Sequence, residues 1–165
     1  MEDFGFRKVN RDEKQNLVNE VFESVAFRYD LMNDIMSAGL HRLWKDTLID
    51  WLAPRKNKHL IDVAGGTGDI AFRFLTRLKD EGKVTIVDRN EQMLLEGKSR
   101  STTSFKNENV EWICADAMEL PFAEESFDYF TISFGIRNVL DIKKCLEEAY
   151  RVLKPGGRLL ILEFS

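Results

Sequence analysis

The stretch Asp62-Val63-Ala64-Gly65-Gly66-Thr67-Gly68-Asp69 follows a short apolar run, His59–Val63, and opens a segment of helical spacing over about 69–80. An apolar run of that length, bounded by glycines, reads as a buried strand. Glycines at such a junction allow a tight turn and let a ligand approach the backbone. In a parallel sheet the junction lies at the carboxyl end of a strand, where nucleotides bind, although an ordinary strand–helix turn has the same composition. Downstream the rhythm repeats. Strands fit Lys83–Val87, Val110–Cys114, Tyr129–Phe134 and Arg158–Phe164, and helices fit about 91–99 and 141–153, with Pro155-Gly156-Gly157 as the turn after the last helix. Strands alternating with helices imply a parallel sheet joined by right-handed crossovers.

Upstream of His59 the pattern is helical. Residues 1–12 are polar and read as a loose arm. Residues 14–29 carry one row of Leu17, Val21, Val25 and Tyr29, with Val18, Phe22 and Ala26 beside it. That face is expected to pack on the sheet, with lipid or a partner protein as the other occupant. Residues 30–39 read as a turn-rich connection. A second helix fits 40–52, with Leu40, Leu43, Trp44, Thr47, Leu48, Trp51 and Leu52 on a broad face, and Pro54 stops it. The basic linker Arg55-Lys56-Asn57-Lys58 then divides an N-terminal arm and helical cap, 1–58, from an α/β core, 59–165, within one integrated domain. The chain stops directly after its fifth core strand, which leaves an apolar edge of the kind proteins cover or pair. The expectation is a front part of a longer protein, with C-terminal strands absent.

Composition narrows the function. A chain of 165 residues suits one domain, and its 44% hydrophobic and 32% charged residues suit a packed core. The net charge of -4 argues against binding led by nucleic-acid phosphates. Residues 1–59 balance ten basic against ten acidic side chains, so the whole deficit lies in the core. No apolar run reaches the roughly 18 residues of a membrane span. Cys114 and Cys145 are too few for a disulfide framework and read as reduced core residues of a cytosol-like compartment. The scattered histidines and cysteines offer no metal set, and the N-terminus lacks the regions of a signal peptide.

The glycine loop becomes informative with its surroundings. The second strand ends at Asp88, twenty residues past Gly68. A carboxylate there can accept from both ribose hydroxyls, or it can cap the following helix. A dinucleotide loop would read G-x-G-x-x-G to bring a pyrophosphate to the helix N-terminus. Here the spacing differs, and Asp69 would repel a pyrophosphate. An acidic loop suits a cationic ligand such as S-adenosylmethionine, whose amino group Asp62 and Asp69 could hold directly or through water. Asp116 could accept from the adenine amino group while the Ala117 N–H meets a ring nitrogen. Met93 has two readings, against the adenine face or in the core.

Three further stretches carry a resemblance. Tyr29-Asp30-Leu31-Met32-Asn33 with Met36-Ser37 and His41-Arg42-Leu43-Trp44-Lys45, then Phe134-Gly135-Ile136-Arg137-Asn138, then Arg151 to Arg158 and Leu162 to Ser165, resemble the ubiquinone/menaquinone biosynthesis C-methyltransferases. These are class I S-adenosylmethionine-dependent methyltransferases, and the likeness runs from about residue 14 to the end. Ala64 departs from the general loop pattern, which has glycine there. The resemblance implies a Rossmann-like sandwich with sheet order 3-2-1-4-5 and an N-terminal helical cap. It implies C-methylation of a polyprenylated benzoquinol or naphthoquinol ring, with cofactor contacts at Thr67, Asp88, Asp116, Ala117 and Ser133, to which the reading of the loop itself adds Asp62, Gly65, Gly66, Gly68 and Met93. A lipid-tailed quinol would be the partner, alongside a quinone-synthesis complex and peripheral contact with a membrane. The location implied is a bacterial cytoplasm, or a mitochondrial matrix for a processed chain.

A quinol carbon is a weak nucleophile until a ring hydroxyl loses its proton, so the site needs proton removal and phenolate stabilisation. Arg137 fits the stabiliser because guanidinium stays charged; its bland alternative is a surface ion pair worth about 0–1 kcal/mol. Asn138 could orient a water or the hydroxyl. Tyr29 and His41 are further candidates, His41 as a base or as a packing residue of the second helix. Trp44 reads as core rather than as a quinone stacking plate. The rival functions are methylation of another small O or N acceptor and a non-catalytic cofactor-binding module.

Overall fold

In a computed structural model, the apolar runs fold as a five-stranded parallel sheet that positions every loop of interest at one edge. The structure describes residues 2–4, 7–25, 39–101 and 104–163. The elements are β1 (Glu2–Phe4), β2 (Arg7–Val9), α1 (Arg11–Val25), α2 (Leu40–Leu52), β3 (His59–Val63), α3 (Asp69–Arg77), β4 (Lys83–Asp88), α4 (Glu91–Ser101), β5 (Val110–Cys114), β6 (Phe127–Ser133), α5 (Ile142–Val152) and β7 (Leu153–Leu162). Short 3₁₀ turns span Asn107–Asn109 and Ile136–Asn138. The sheet runs β5-β4-β3-β6-β7, so the core strands follow the expected order 3-2-1-4-5.

Alternation along the strands sorts the core into two layers. Leu60 of β3 and Val84 and Ile86 of β4 join Leu48, Ile49 and Leu52 of α2 and Phe74 and Leu75 of α3. Ile61 and Val63 of β3, with Val87 of β4, meet Phe130 and Ile132 of β6 and Cys145 and Ala149 of α5 on the other face. Both faces are covered, which is why β3 and β4 read as continuous apolar runs. No described helix is long and apolar enough to cross a membrane.

Several elements differ from the sequence reading. The polar arm contains an antiparallel strand pair, Glu2↔Val9 to Phe4↔Arg7; backbone pairing leaves no mark in polar composition. Helix α1 starts at Arg11, capped by Asn10, whose side-chain oxygen accepts from the Glu13 N–H at 2.7 Å. Residues 26–38 of the cap, including the expected end of this helix, lie outside the described residues. The buried stripe of α2 is His41, Lys45, Leu48, Ile49 and Leu52, not the broad apolar face. Trp51 is 73% exposed and Leu40 and Leu43 also face outward. On that buried face Lys45 pairs with Asp69, as described below. Strand β7 leaves α5 directly at Leu153, and the expected turn at 155–157 becomes an excursion within it, between the pairings Phe127↔Leu153 and Tyr129↔Arg158. Cys145 is buried, but Cys114 is exposed at the end of the outer strand β5, not in the core.

Helix α4 presses on the glycine loop through Gly97. A Cβ there would stand 2.5 Å from the Thr67 carbonyl oxygen and 2.6 Å from the Trp112 ring. Gly97→Ala gains about 1 kcal/mol of helix propensity but forces a clash with backbone, and overpacking costs about 1–3 kcal/mol. The variant is expected to melt below the parent in a thermal unfolding scan; melting at or above it would show that this approach is not tight.

Candidate active site

The loop after β3 turns back on itself through left-handed residues. Ala64, Gly66 and Gly68 have φ of 53°, 56° and 90°. Alanine tolerates this region poorly, so Ala64 is a strained position held by its surroundings. Gly135, on the neighbouring loop, makes room for it: a Cβ there would sit 2.6 Å from the Ala64 Cβ. Gly65 is needed for a different reason, since a Cβ would meet Asp62 Oδ2 at 2.8 Å. The Gly65 N–H donates to the Val87 carbonyl at 3.1 Å.

Asp88 ends β4 beside this loop. Its Oδ2 accepts from the Gly66 N–H at 2.9 Å and its Oδ1 from the Asn90 N–H at 2.8 Å. Burial raises its carboxyl above the ordinary value, against the pull of those N–H groups. The cap of α4 is Asn90, whose side-chain oxygen accepts from the Met93 N–H at 3.0 Å. Asp88 thus bonds both the loop and the residue that caps the helix.

Asp62 occupies the adjacent strand. It is 1% exposed. Its Oδ1 accepts from the Thr131 hydroxyl at 2.7 Å, while Oδ2 has no hydrogen-bond partner among the described residues. Burial pushes its carboxyl up to about 7, with the Thr131 bond and the Lys45 charge acting the other way. An orphaned, buried carboxylate oxygen is costly unless a ligand or water meets it.

These groups line one cavity at the carboxyl ends of the strands. The cavity gathers Asp62, Gly65, Gly66, Thr67, Asp88, Met93, Asp116, Ala117, Ser133 and Asn138 from the sequence-predicted set. Asp116 is oriented by the Met118 N–H at 2.9 Å and paired with Arg89 at 3.2 Å. Ser133 Oγ is buried with no partner among the described residues. Met93 is buried in the cavity wall, its Cε 2.8 Å from where a Cβ on Gly66 would lie.

Other predicted residues stand apart. Gly68 is not in the lining; a Cβ on it would face Phe72, Trp112 and Ile86 instead. Arg137 has a 54% exposed side chain and bonds Glu163 at 2.9 Å, outside the lining. His41 is buried in α2, away from the cavity wall. Tyr29 falls outside the described residues.

Asp69 lines the cavity with both carboxylate oxygens engaged by cations. Its Oδ2 holds Lys45 at 2.7 Å and its Oδ1 holds Arg73 at 2.9 Å. Burial opposes its ionisation, but Lys45 and Arg73 together bring its carboxyl below the ordinary value. Arg73 also binds Asp46, and Arg77 binds Asp50, so a ladder of charges joins α2 to α3. Sequence reading missed Lys45, Gln15, Val18 and Asn19, which the cap contributes to the lining. The available signal was a lysine four positions after His41, on a helix whose neighbour begins with aspartate.

The charge balance defines what the cavity can take. Asp69 is matched by Lys45 and Arg73, and Asp116 by Arg89. Asp62 and Asp88 face no cationic side chain at hydrogen-bond distance among the described residues. Two buried acceptors beside a close-approach backbone suit hydroxyl donors and a positive group. No group of His, Cys, Asp or Glu among the described residues is arranged to hold a metal ion.

Comparison with known proteins agrees with this geometry. Solved structures of a SAM dependent methyltransferase from Aquifex aeolicus (TM-score 0.66, 22% identity, covering 73% of this chain and 64% of that one) and of the [4+2]-cyclase SpnF (TM-score 0.71, 21% identity, covering 87% and 59%) share the fold. At that identity they speak for the fold alone. In sequence, the chain is 57% identical over 162 residues to a ubiquinone/menaquinone biosynthesis C-methyltransferase UbiE of Paracoccus denitrificans, covering 98% of this chain and 64% of the relative. It is likewise 57% identical over 164 residues to the protein of that name from Brucella abortus, of which it covers 61%. The chain thus spans somewhat under two thirds of the length of these relatives. A family model matches residues 8–165, and the chain belongs to the ubiE/COQ5 methyltransferase family.

Proposed function

We propose that the cavity binds S-adenosylmethionine and that the protein methylates a ring carbon of a polyprenylated benzoquinol or naphthoquinol. The observation that carries the cofactor reading is the pair of buried carboxylates, Asp62 and Asp88, beside a glycine loop that lines the same cavity. The acceptor is carried by the family and by the names of its relatives. Bound here, S-adenosylmethionine supplies an electrophilic sulfonium methyl.

In this reading Asp88 keeps free lone pairs for the ribose hydroxyls while its two N–H donors hold it still. Asp62 Oδ2 takes the positive amino group. Asp116 and the Ala117 N–H read the adenine edge, and Met93 closes on the ring. Asn138 orients the acceptor hydroxyl from the cavity wall. Arg137, one position earlier in the same 3₁₀ turn, stabilises the developing phenolate once it exchanges Glu163 for the acceptor. Proton removal then falls to water or to a group in the cap. The greasy tail of such an acceptor brings the encounter to a membrane surface, with the protein attached peripherally. The bacterial sources of the relatives support a cytoplasmic setting.

Calorimetric titration is expected to show binding of S-adenosylmethionine and none of NADH. Asp88→Asn should weaken it at least tenfold, since hydrogen bonds to charged groups contribute about 1.5–3 kcal/mol. Methyl transfer to a demethylated quinol would establish the reaction; binding without transfer would favour a cofactor-binding module. Arg137→Ala should keep cofactor affinity and lose most turnover, and unchanged turnover would remove Arg137 from the mechanism.

Asp62 gives a pH signature. Its carboxyl rises from 3.8 to about 7 on folding. Between these values the folded protein holds a proton that the unfolded chain releases, so this group's contribution to stability falls as pH rises through that window. A cationic ligand beside Asp62 favours its ionised form. Affinity for S-adenosylmethionine should therefore climb from pH 5.5 toward 7, by up to about tenfold per unit, and level off above. Asp62→Asn should flatten both profiles; a wild-type affinity that does not change over this range would remove Asp62 from contact with the amino group.

A further inference from the structure

The amino-acid head of the proposed cofactor carries a carboxylate as well as an ammonium, and a cavity edged by Asp62, Asp69 and Asp88 would repel it. The cations in the lining are Lys45 and Arg89. Arg89 is held by Asp116, on the side assigned to adenine. Lys45 lies on the other side, close enough for its charge to act on Asp62. We propose that Lys45 is the carboxylate-binding residue of the site, forming with Asp62 a cradle for the zwitterionic end of S-adenosylmethionine.

This inference rests on the cofactor reading above and goes beyond it in giving a positioning duty to the cap. The Lys45 side chain is only 5% exposed, which is unusual for lysine and needs a reason. Asp69 supplies part of one: its Oδ2 accepts a single N–H of the ammonium at 2.7 Å. The other Asp69 oxygen is taken by Arg73. An ammonium has three donors, so Lys45 retains two. The Phe134 ring, 5.9 Å below, closes one side of the ammonium and belongs to the same lining. A carboxylate entering the cavity completes the coordination of a charge already desolvated. The desolvation of Lys45 is settled in the fold, so on this side of the pair binding costs no further loss of hydration.

Lys45 sits on α2, whereas Asp62, Asp88 and Asp116 all sit on the core. Recognition of the head group therefore spans the joint between cap and core. The Lys45–Asp69–Arg73–Asp46 ladder links α2 to α3 beside the apolar contact of the two helices.

Ligands that differ only at the head group test this. S-adenosylmethionine, its decarboxylated analogue and 5′-methylthioadenosine, which lacks the whole head, are titrated into the wild type and into Lys45→Met and Lys45→Arg. Lys45→Met should weaken S-adenosylmethionine at least tenfold and leave 5′-methylthioadenosine within twofold, and Lys45→Arg should restore part of the loss. Equal losses for both ligands would mean that Lys45 acts only by supporting the fold, and no loss would also overturn the proposal. The wild type alone gives a second readout independent of how well a variant folds. It should prefer S-adenosylmethionine to the decarboxylated analogue by at least tenfold, and equal affinity overturns the proposal while leaving the cofactor reading intact. A wild type that binds none of the three refutes that reading and this one with it.

Discussion

Two bonds fasten the turn after β3 to the end of β4: Gly65 N–H to the Val87 carbonyl and Gly66 N–H to the Asp88 carboxylate. Everything around the cavity depends on them. They hold a run of left-handed residues in place, including an alanine that would not choose that conformation. They aim the loop so that α3 starts at Asp69, and they leave a notch where Met93 and Gly97 of α4 can approach. The same carboxylate that organises the loop lines the cavity. One residue thus serves both the turn and the site, and the turn cannot be altered without moving the ligand acceptor.

The second constraint is electrostatic. Four carboxylates border one cavity, and burying charge without compensation is expensive. Each is managed differently. Asp69 is paired with two cations, Asp116 with one, Asp88 is bonded by backbone N–H groups, and Asp62 is the one whose carboxyl is pushed near neutrality. This grading leaves negative character on β3 and β4 and removes it where α3 begins. The overall charge of -4 sits in the core rather than the cap, in keeping with an acidic cavity that a basic residue of the cap edges.

The α/β core was legible because its signals are local. His59–Val63 and Val110–Cys114 appear in the sequence as apolar runs with the very bounds found, and the sheet order is that of the resembling class. The carboxylates at strand ends were legible for the same reason: a strand, its last residue and the next turn are neighbours in the chain. What failed depends on neighbours distant in sequence. The buried face of α2 includes Lys45, whose partner Asp69 lies twenty-four residues later, so hydrophobicity alone placed only Leu48 and Leu52 of that face. The pairing of Asp69 with Lys45 was not legible because Lys45 lies on another helix. For Arg137 the motif carried no sign of the ion pair with Glu163, which follows β7. Asn10 was readable as a cap and was passed over because the residues before it are polar.

The fold alone cannot name the reaction, since a cyclase and a methyltransferase share it at similar distance from this chain. What the two chemistries have in common is a need to hold reactants in one geometry. The described cavity wall suits that need better than it suits strong base catalysis. Its neutral polar side chains beyond the glycine loop and the strand ends are Gln15, Asn19 and Asn138, all amides, and His41 is sealed in α2 instead. Orientation of two reactants contributes about 7–11 kcal/mol to lowering a barrier, more than a single general base supplies. A site that fixes the donor by its head, ribose and adenine, and the acceptor by one hydroxyl, can leave deprotonation to water and phenolate stabilisation to a guanidinium. In the proposed reaction, orientation by the loop and by the side chains of the cap would thus carry more of the barrier than any one titrating group.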